Sequence, residues 1–150
     1  MKKFFTFSVL FLLLLIIGCS KDENTQTPQP TPQPTPTTGT ISGRITLPPG
    51  AAGDINNTRV AIYSSFEDWL NDRVLKFTTT NSSGNYTLSN ITPGTYYMDA
   101  WKDNNNNTLF DSGDFWGVYG SGSYPNYQVS PFSVAAGQTT SINFQIFIIP

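Results

Sequence analysis

In this chain of 150 residues, the clearest indication of the fold is the stretch Thr95-Tyr96-Tyr97-Met98-Asp99-Ala100-Trp101-Lys102. It follows the turn dipeptide Pro93-Gly94 and contains no proline or glycine of its own. Because side chains alternate between the two faces of a strand, Tyr96, Met98 and Ala100 share one face, and Tyr97, Asp99 and Trp101 share the other. This two-residue period and the aromatic content predict a long β-strand.

Six further stretches around it have strand patterns and are separated by turn residues such as Pro48-Pro49-Gly50 and Asn81-Ser82-Ser83-Gly84. These stretches are Thr40–Leu47, Arg59–Tyr63, Val74–Thr80, Tyr86–Leu88, Tyr127–Val134 and Thr139–Ile149. One segment, Ser64–Arg73, has helical spacing of its apolar residues. Short strands joined by turns predict an all-β protein, a seven-stranded Greek-key β-sandwich over residues 39–150.

The first 18 residues have the pattern of a signal peptide. Lys2-Lys3 is a basic start, and Phe4–Ile17 is an apolar run too short to span a bilayer comfortably. The junction Leu15-Ile16-Ile17-Gly18-Cys19 resembles a bacterial lipobox. The resemblance implies cleavage before Cys19 and a covalent lipid on its thiol and its amine, which would anchor the chain to the outer membrane. The alternatives are an ordinary secretory signal with an incidental cysteine and a weak membrane anchor.

Residues 19–38 form the predicted link between the anchor and the fold. Ser20-Lys21-Asp22-Glu23 resembles the export signal of surface-displayed lipoproteins, and a solvated tether facing the periplasm is the alternative. The following stretch, Thr25–Thr38, reads TQTPQPTPQPTPTT. It has no apolar side chain beyond its proline rings and cannot form a core, so we expect a disordered spacer rich in Pro, Thr and Gln.

The composition excludes several classes of function. The chain has no histidine and one cysteine, which removes Ser-His-Asp and Cys-His catalysis, disulfides and cysteine-rich zinc sites. Charged residues make up 12% and the net charge is −2, so no basic surface for nucleic acid is expected. A carboxylate pair of the glycosidase type is the remaining catalytic option. The carboxylates of Glu67, Asp68 and Asp72 are explained more simply as a solvated helix face, and we therefore expect no enzyme.

The order of these signals resembles the carboxypeptidase regulatory-like domain, which is a transthyretin-like (prealbumin-like) β-sandwich. The matching pieces are Ile41-x-Gly43-x-Ile45, Val60-x-Ile62, Thr80-x-x-x-Gly84-x-Tyr86-x-Leu88, Pro93-Gly94-x-Tyr96, Val134-x-x-Gly137-x-Thr139 and Ile142-x-Phe144. The resemblance implies a non-catalytic accessory domain attached to a larger surface system. It does not imply the zinc peptidase, whose ligands have no counterpart here.

The loop Asp103–Asp114 carries the clearest chemical pattern. Oxygen-bearing side chains stand at its first, third, fifth, ninth and twelfth positions, and a backbone carbonyl is available at the seventh. This is the ligand spacing of a calcium loop of the EF-hand type. The predicted ligands are Asp103, Asn105, Asn107, Leu109, Asp111 and Asp114. Thr108 replaces the usual glycine at position six, and with only three carboxylates we expect a weak, structural calcium site; a plain Asn-rich loop is the alternative.

Aromatic residues near this loop suggest a second role. Trp101, Trp116 and Tyr119 are candidates for stacking on sugar rings, although most aromatic side chains of a small sandwich are part of the core. The sequence thus predicts a membrane-anchored, surface-exposed lipoprotein that displays a non-catalytic accessory, binding or structural module. A carbohydrate-binding module and an adhesin-like protein-binding domain are the alternatives, with a glycan or another surface protein as partner.

Overall fold

The computed structural model describes residues 33–122 and 125–150. Its elements are β1 (Gly39–Thr46), β2 (Arg59–Tyr63), α1 (Phe66–Leu70), β3 (Lys76–Thr79), β4 (Asn85–Ile91), β5 (Gly94–Lys102), β6 (Phe115–Val118), β7 (Gly120–Ser121), β8 (Gln128–Val129), β9 (Phe132–Val134), β10 (Thr139–Ser141), β11 (Phe144–Gln145) and β12 (Phe147–Ile148). The predicted signal peptide, Cys19 and most of the predicted tether lie outside these residues. In the described part of the chain, no helix is long and apolar enough to cross a membrane.

Two sheets contain the longer strands. In the smaller sheet β1 is central: it pairs antiparallel with β4, and parallel with β10 and then β11. The larger sheet has the order β3-β2-β5-β6-β12, and β9 pairs with the first residues of β5. The hairpin-like pair β7-β8 lies apart from both sheets. The C-terminal stretch therefore belongs to both layers, because β11 pairs in the smaller sheet and β12 in the larger one.

The core lies between the two sheets. Ile41 and Ile45 from β1 are fully buried in one cluster with Val60 and Ile62 from β2 and with Met98 from β5. Such side chains alternate along each strand with residues that point to the opposite face, as expected for packed sheets. Two layers of sheet around one apolar cluster confirm the predicted all-β sandwich.

One buried tyrosine joins the two layers. The Tyr86 hydroxyl donates a hydrogen bond to the Ile142 carbonyl at 2.7 Å and contacts the Met98 sulfur at 3.2 Å. Gly43 lies beside the same carbonyl, and a Cβ at that position would overlap it. Gly43 of the Ile41-x-Gly43-x-Ile45 pattern thus lies in β1, at a close approach of two backbone segments.

Strand boundaries differ from the sequence-based expectation in several places. β3 is shorter than predicted, β4 is longer, and the short strand β7 was not predicted. The structure adds β6, a strand the sequence pattern did not predict, directly after the polar loop. The predicted strand Tyr127–Val134 divides into β8 and β9 around Pro131, which has no N–H to donate. The predicted strand Thr139–Ile149 divides into three short strands because it changes sheets.

The predicted helix is present and short. α1 spans five residues, Phe66–Leu70, and Ser65 caps it by accepting a hydrogen bond from the Asp68 N–H at 3.0 Å. Glu67 and Asp68 stand in its first turn, where negative charge suits the helix dipole. None of its residues is fully buried, so α1 lies on the surface and packs against β2 and β5.

Candidate ligand-binding site

The outer face of the larger sheet carries polar and aromatic side chains, in contrast to its apolar inner face. The strand register places Arg59 opposite Trp101, and Trp101 opposite Trp116 on the next strand. Asp99 lies two residues before Trp101 on the same face of β5, and its backbone pairs with that of Ala61 on β2. Three adjacent strands thus bring a cation, a carboxyl group and two indoles together on one surface.

Two segments partly cover this surface, and both contribute aromatic rings. From α1, the Trp69 ring stacks nearly parallel to Trp116, with centroids 6.4 Å apart and 10° between the planes. From the loop after β5, the Phe110 ring meets Trp116 edge-on at 5.4 Å and lies 6.3 Å from Trp101. Four aromatic rings from a helix, two strands and a loop therefore converge here.

A cavity of about 690 Å³ opens between these rings. This volume lies within the usual range for small-molecule sites. Its lining residues are Arg59, Trp69, Leu70, Asn71, Asp72, Asp99, Trp101, Thr108, Phe110 and Trp116. We call this feature the outer-face cavity. Its rim is apolar and accessible, since Leu70 is 58% exposed and Phe110 is 51% exposed.

A hydrogen-bonded polar cluster lies beside the aromatic walls. The Tyr63 hydroxyl is 2.8 Å from Asp72 Oδ1 and 3.1 Å from both carboxyl oxygens of Asp99. Arg59 Nη2 pairs with Asp72 Oδ1 at 2.9 Å. One phenolic proton can serve only one of the two carboxyl groups, so a second proton is needed for both contacts to be hydrogen bonds. Protonation of Asp99 would supply that proton.

The surroundings of Asp99 favour this protonated form. Burial raises the pKa of its carboxyl group to about 7, against the opposing effects of the Arg59 charge and of hydrogen bonds from Tyr63 and Trp116. Burial, together with the Asp99 charge, also raises the pKa of the Tyr63 hydroxyl well above its usual value. Among the charged side chains that line the cavity in the described part of the chain, Arg59 is paired with Asp72, and Asp99 becomes increasingly protonated as the pH falls below about 7.

Two nitrogen atoms on cavity-lining residues have unmet hydrogen-bonding capacity. Arg59 Nε and Trp69 Nε1 are both buried, and neither has a hydrogen-bond partner among the described residues. A buried donor without a partner is unfavourable by about 1–3 kcal/mol. Both residues belong to the walls of the outer-face cavity.

The predicted calcium ligands lie in the loop between β5 and β6. Asp103 accepts hydrogen bonds from the N–H groups of Asn107 and Thr108, at 3.2 and 2.8 Å. Asn105 Oδ1 accepts from the Asn107 N–H at 3.0 Å, and Asn107 Oδ1 accepts from the Leu109 N–H at 2.8 Å. The side-chain oxygens at the first, third and fifth positions therefore turn inward toward the loop backbone.

In the second half of the loop, side-chain donors also bond to the predicted carboxylate ligands. Asp111 accepts hydrogen bonds from the side-chain amides of Asn105 and Asn107. Asp114 is fully buried and accepts from Trp101 Nε1 and from the Asn104 N–H, both at 2.9 Å. Across the described residues, no three Asp, Glu, His or Cys side chains form a metal-binding group. Any ion here would depend on the asparagine and backbone oxygens as well as on the carboxylates.

Thr108 adopts the conformation that the calcium pattern normally assigns to glycine. Its φ is 66°, and Asn106 two residues earlier has a φ of 58°. Such left-handed backbone is unfavourable for a β-branched residue, and here Asp103 holds the Thr108 N–H. The sharp turn of the loop thus forms without a glycine at position six.

The aromatic candidates separate into two groups. Trp101 and Trp116 line the outer-face cavity, whereas Tyr119 packs edge-on against Phe132 at 5.6 Å and contacts the core. Sequence reasoning missed the part that five residues take in lining the cavity, and it missed the hydrogen bonds that Tyr63 makes beside it. The five lining residues are Arg59, Trp69, Asp72, Asp99 and Phe110. Asp99 was the available signal, because a carboxyl group in the middle of an apolar strand must find partners when it is buried.

Comparison with known proteins adds little to this description. No protein-family model matches the chain, and no curated protein matches it. Among solved structures, the chain is similar to the minor pilin of the gram-positive pathogen Streptococcus agalactiae, with 12% sequence identity and a TM-score of 0.44. The match covers 77% of this chain and 47% of the pilin chain. At this level the likeness identifies neither a family nor an activity.

Proposed function

We propose that this chain is a lipid-anchored surface protein whose β-sandwich is a non-catalytic binding module, with the outer-face cavity as its binding site. The observation that carries the proposal is the convergence of Trp69, Trp101, Phe110 and Trp116 around one accessible cavity, outside the core. A structural module would have no need for four aromatic rings around an open volume, since the inter-sheet core already holds the fold together. The resemblance to carboxypeptidase regulatory-like domains fits this accessory role.

The polar groups of the cavity favour binding over catalysis. Asp99 is only 8% exposed and is engaged with Tyr63 and Trp116, and Asp72 is paired with Arg59. A glycosidase needs two carboxyl groups that both reach the bond to be cleaved. Because Asp99 is largely buried, it is poorly placed to reach such a bond. We therefore assign Asp99 and Asp72 a structural role in the cavity wall.

A binding screen tests the proposal directly. Purified residues 20–150 are presented to immobilised polysaccharides and to host matrix proteins, with calcium and with a chelator. We expect binding that is lost in Trp69→Ala and kept in Phe77→Ala, because Phe77 is an exposed aromatic residue on β3 that does not line the cavity. Capture of a matrix protein would favour an adhesin, and binding equally retained by both variants would place the site elsewhere.

The anchor is proposed from the lipobox resemblance at Cys19. Stable attachment requires more than one acyl chain, which a diacylglycerol on the thiol together with an acylated amine would provide. Mass spectrometry of the mature protein should find an acylated Cys19 at its N-terminus, and Cys19→Ala should remain unprocessed. Protease treatment of whole cells separates surface display, in which the domain is cleaved, from a periplasm-facing position, in which it is protected.

We also propose that the loop Asp103–Asp114 binds one calcium ion with a structural role. Asp103, Asn105 and Asn107 already turn their oxygens inward, and no lysine or arginine lies in the loop. With a dissociation constant near 10⁻⁴ M and calcium near 1 mM, linkage gives about 1.4 kcal/mol, or a melting shift of roughly 4–8 °C.

The calcium proposal has a matched pair of variants within the loop. Asp103→Ala should abolish the calcium-dependent melting shift because it removes the first predicted ligand. Asn104→Ala should retain the shift, since that side chain is not a predicted ligand. Equal melting temperatures of the unmodified domain in calcium and in chelator, with no heat of binding by calorimetry, would identify the loop as an Asn-rich turn.

A further inference from the structure

We infer that the ligand of the outer-face cavity is a neutral saccharide, an inference that rests on the proposed function of the cavity as a binding site. Three properties of the cavity lead to this class of ligand: the aromatic walls, the balance of charge and the unpaired donors. Each excludes a different alternative.

The walls require a ligand with apolar faces. A pyranose ring presents C–H groups on its faces and hydroxyl groups around its edge, so it can cover an aromatic ring with its face while its edge stays polar. The negative faces of indole and phenyl rings attract such C–H groups. Trp69, Trp116 and Phe110 provide rings in parallel and perpendicular orientations within one cavity. Small polar ions would leave these surfaces unused.

The charges disfavour an ionic ligand of either sign. Arg59 is paired with Asp72 at 2.9 Å, so the described residues that line the cavity offer no unpaired positive charge to a carboxylate or a sulfate. The Arg59 guanidinium also lies 5.8 Å from the centre of the Trp101 ring, so the protein's own cation already occupies one aromatic wall. A quaternary ammonium ion bound against the same ring would be repelled by the Arg59 charge.

The unpaired donors require oxygen atoms on the ligand. Arg59 Nε and Trp69 Nε1 lack partners among the described residues. Both side chains line the cavity, and each nitrogen is covered, so the side chain must shift before a ligand oxygen can reach it. Hydroxyl and ring oxygens of a sugar could pair with them after a small adjustment of the side chains, which a hydrocarbon could not do. Asn71 and the exposed carboxylate of Asp72 lie at the same cavity and can bond further hydroxyl groups.

Isothermal titration calorimetry on the purified domain tests the inference. The probes are maltohexaose, cellohexaose, mannohexaose and xylohexaose as neutral saccharides, oligogalacturonate as an acidic saccharide, and choline as a quaternary ammonium. We expect at least one neutral hexasaccharide to bind, with a change in tryptophan fluorescence. Phe110→Ala and Trp69→Ala should each weaken binding by about tenfold or more, as expected for the loss of one ring contact.

Phe77→Ala is the matched control, because Phe77 is 60% exposed and Phe110 is 51% exposed, but only Phe110 lines the cavity. Thermal melting of each variant confirms that it is folded. Binding of oligogalacturonate or choline instead, lost in Phe110→Ala and kept in Phe77→Ala, would overturn the neutral saccharide and leave the cavity as a binding site. Saccharide binding that neither cavity variant weakens would overturn both proposals. No binding of any neutral hexasaccharide at millimolar concentration would overturn this inference alone.

Discussion

We expect the stability of the wild-type domain to depend on pH between about pH 4 and pH 7 through Asp99, and Asp99→Asn should remove this dependence. Burial raises the pKa of Asp99 to about 7 in the folded protein, whereas an aspartate in the unfolded chain titrates near 3.9. Between these values the native state holds a proton that the unfolded state has released. The free energy of unfolding therefore falls as pH rises through this window and is level above it.

The size of the effect follows from the pKa difference. About three pH units at roughly 1.4 kcal/mol each give about 4 kcal/mol between the ends of the window. Asparagine has nearly the same shape as a protonated aspartic acid. Its amide can donate to the Tyr63 hydroxyl oxygen, as a protonated carboxyl group can. The stability of Asp99→Asn should therefore depend less on pH than that of the wild type. Between pH 4 and pH 7 the stability of the variant should rise relative to that of the wild type, and the difference should stay level above pH 7.

Urea unfolding of both proteins at unit steps from pH 4 to pH 8 measures this difference. Taking the difference between the two proteins cancels the titration of the other groups, including Asp68, whose pKa is lowered to about 2 by hydrogen bonds from Ser64, Arg73 and Ser65. Asp68 acts with the opposite sign, because the stability it contributes is lost as pH falls toward 2. A wild-type-minus-variant difference that stays constant from pH 4 to pH 8 would refute the buried, protonated state of Asp99.

Two further predictions concern the core. Tyr86→Phe should lower the free energy of unfolding by about 1–3 kcal/mol, because the Ile142 carbonyl loses a buried donor. Urea unfolding measures this loss, and an unchanged urea midpoint would mean that water replaces the hydroxyl group. Gly84→Ala should destabilise by at least about 1–2 kcal/mol, since Gly84 has a φ of 78° and its new Cβ would overlap the Ile45 carbonyl. Gly50→Ala is the control, because Gly50 has a φ of 82° but open space around it, and equal losses in both variants would exclude the overlap as a cause.

The sandwich could be predicted from sequence because its inner faces follow a simple alternation. In β5, Tyr96, Met98 and Ala100 are all buried, as the two-residue period indicates. β6 escaped prediction because its four residues include Gly117, which is unfavourable in strands by propensity. Gly117 is nevertheless required there, since a Cβ would overlap the Gln145 carbonyl of the C-terminal stretch. That contact joins residues distant in sequence, and no local pattern reports it.

The candidate site was only partly predictable for a related reason. Trp101 and Trp116 could be proposed from their residue type and from their position near a loop. The partners of Asp99 could not, because Tyr63 lies 36 residues away and meets it only through the register of β2 and β5. Trp69 belongs to a helix whose pattern gave no indication of where it would dock. Residue type and spacing thus identified two residues of the cavity walls. The way the walls come together depends on the strand register of the larger sheet, which no local sequence pattern gives.

The loop and the cavity are also physically connected, although their sequence patterns suggested separate roles. Phe110 and Thr108 belong to the predicted calcium loop and line the outer-face cavity. Asp114, the last predicted ligand, accepts a hydrogen bond from Trp101, another cavity wall. Removing Asp103 frees the Thr108 N–H that it holds, so a loop variant alters the cavity wall even if no ion ever binds. Saccharide affinity should therefore be compared at one fixed calcium concentration, and weaker binding by Asp103→Ala is evidence for calcium only when the melting shift is lost as well.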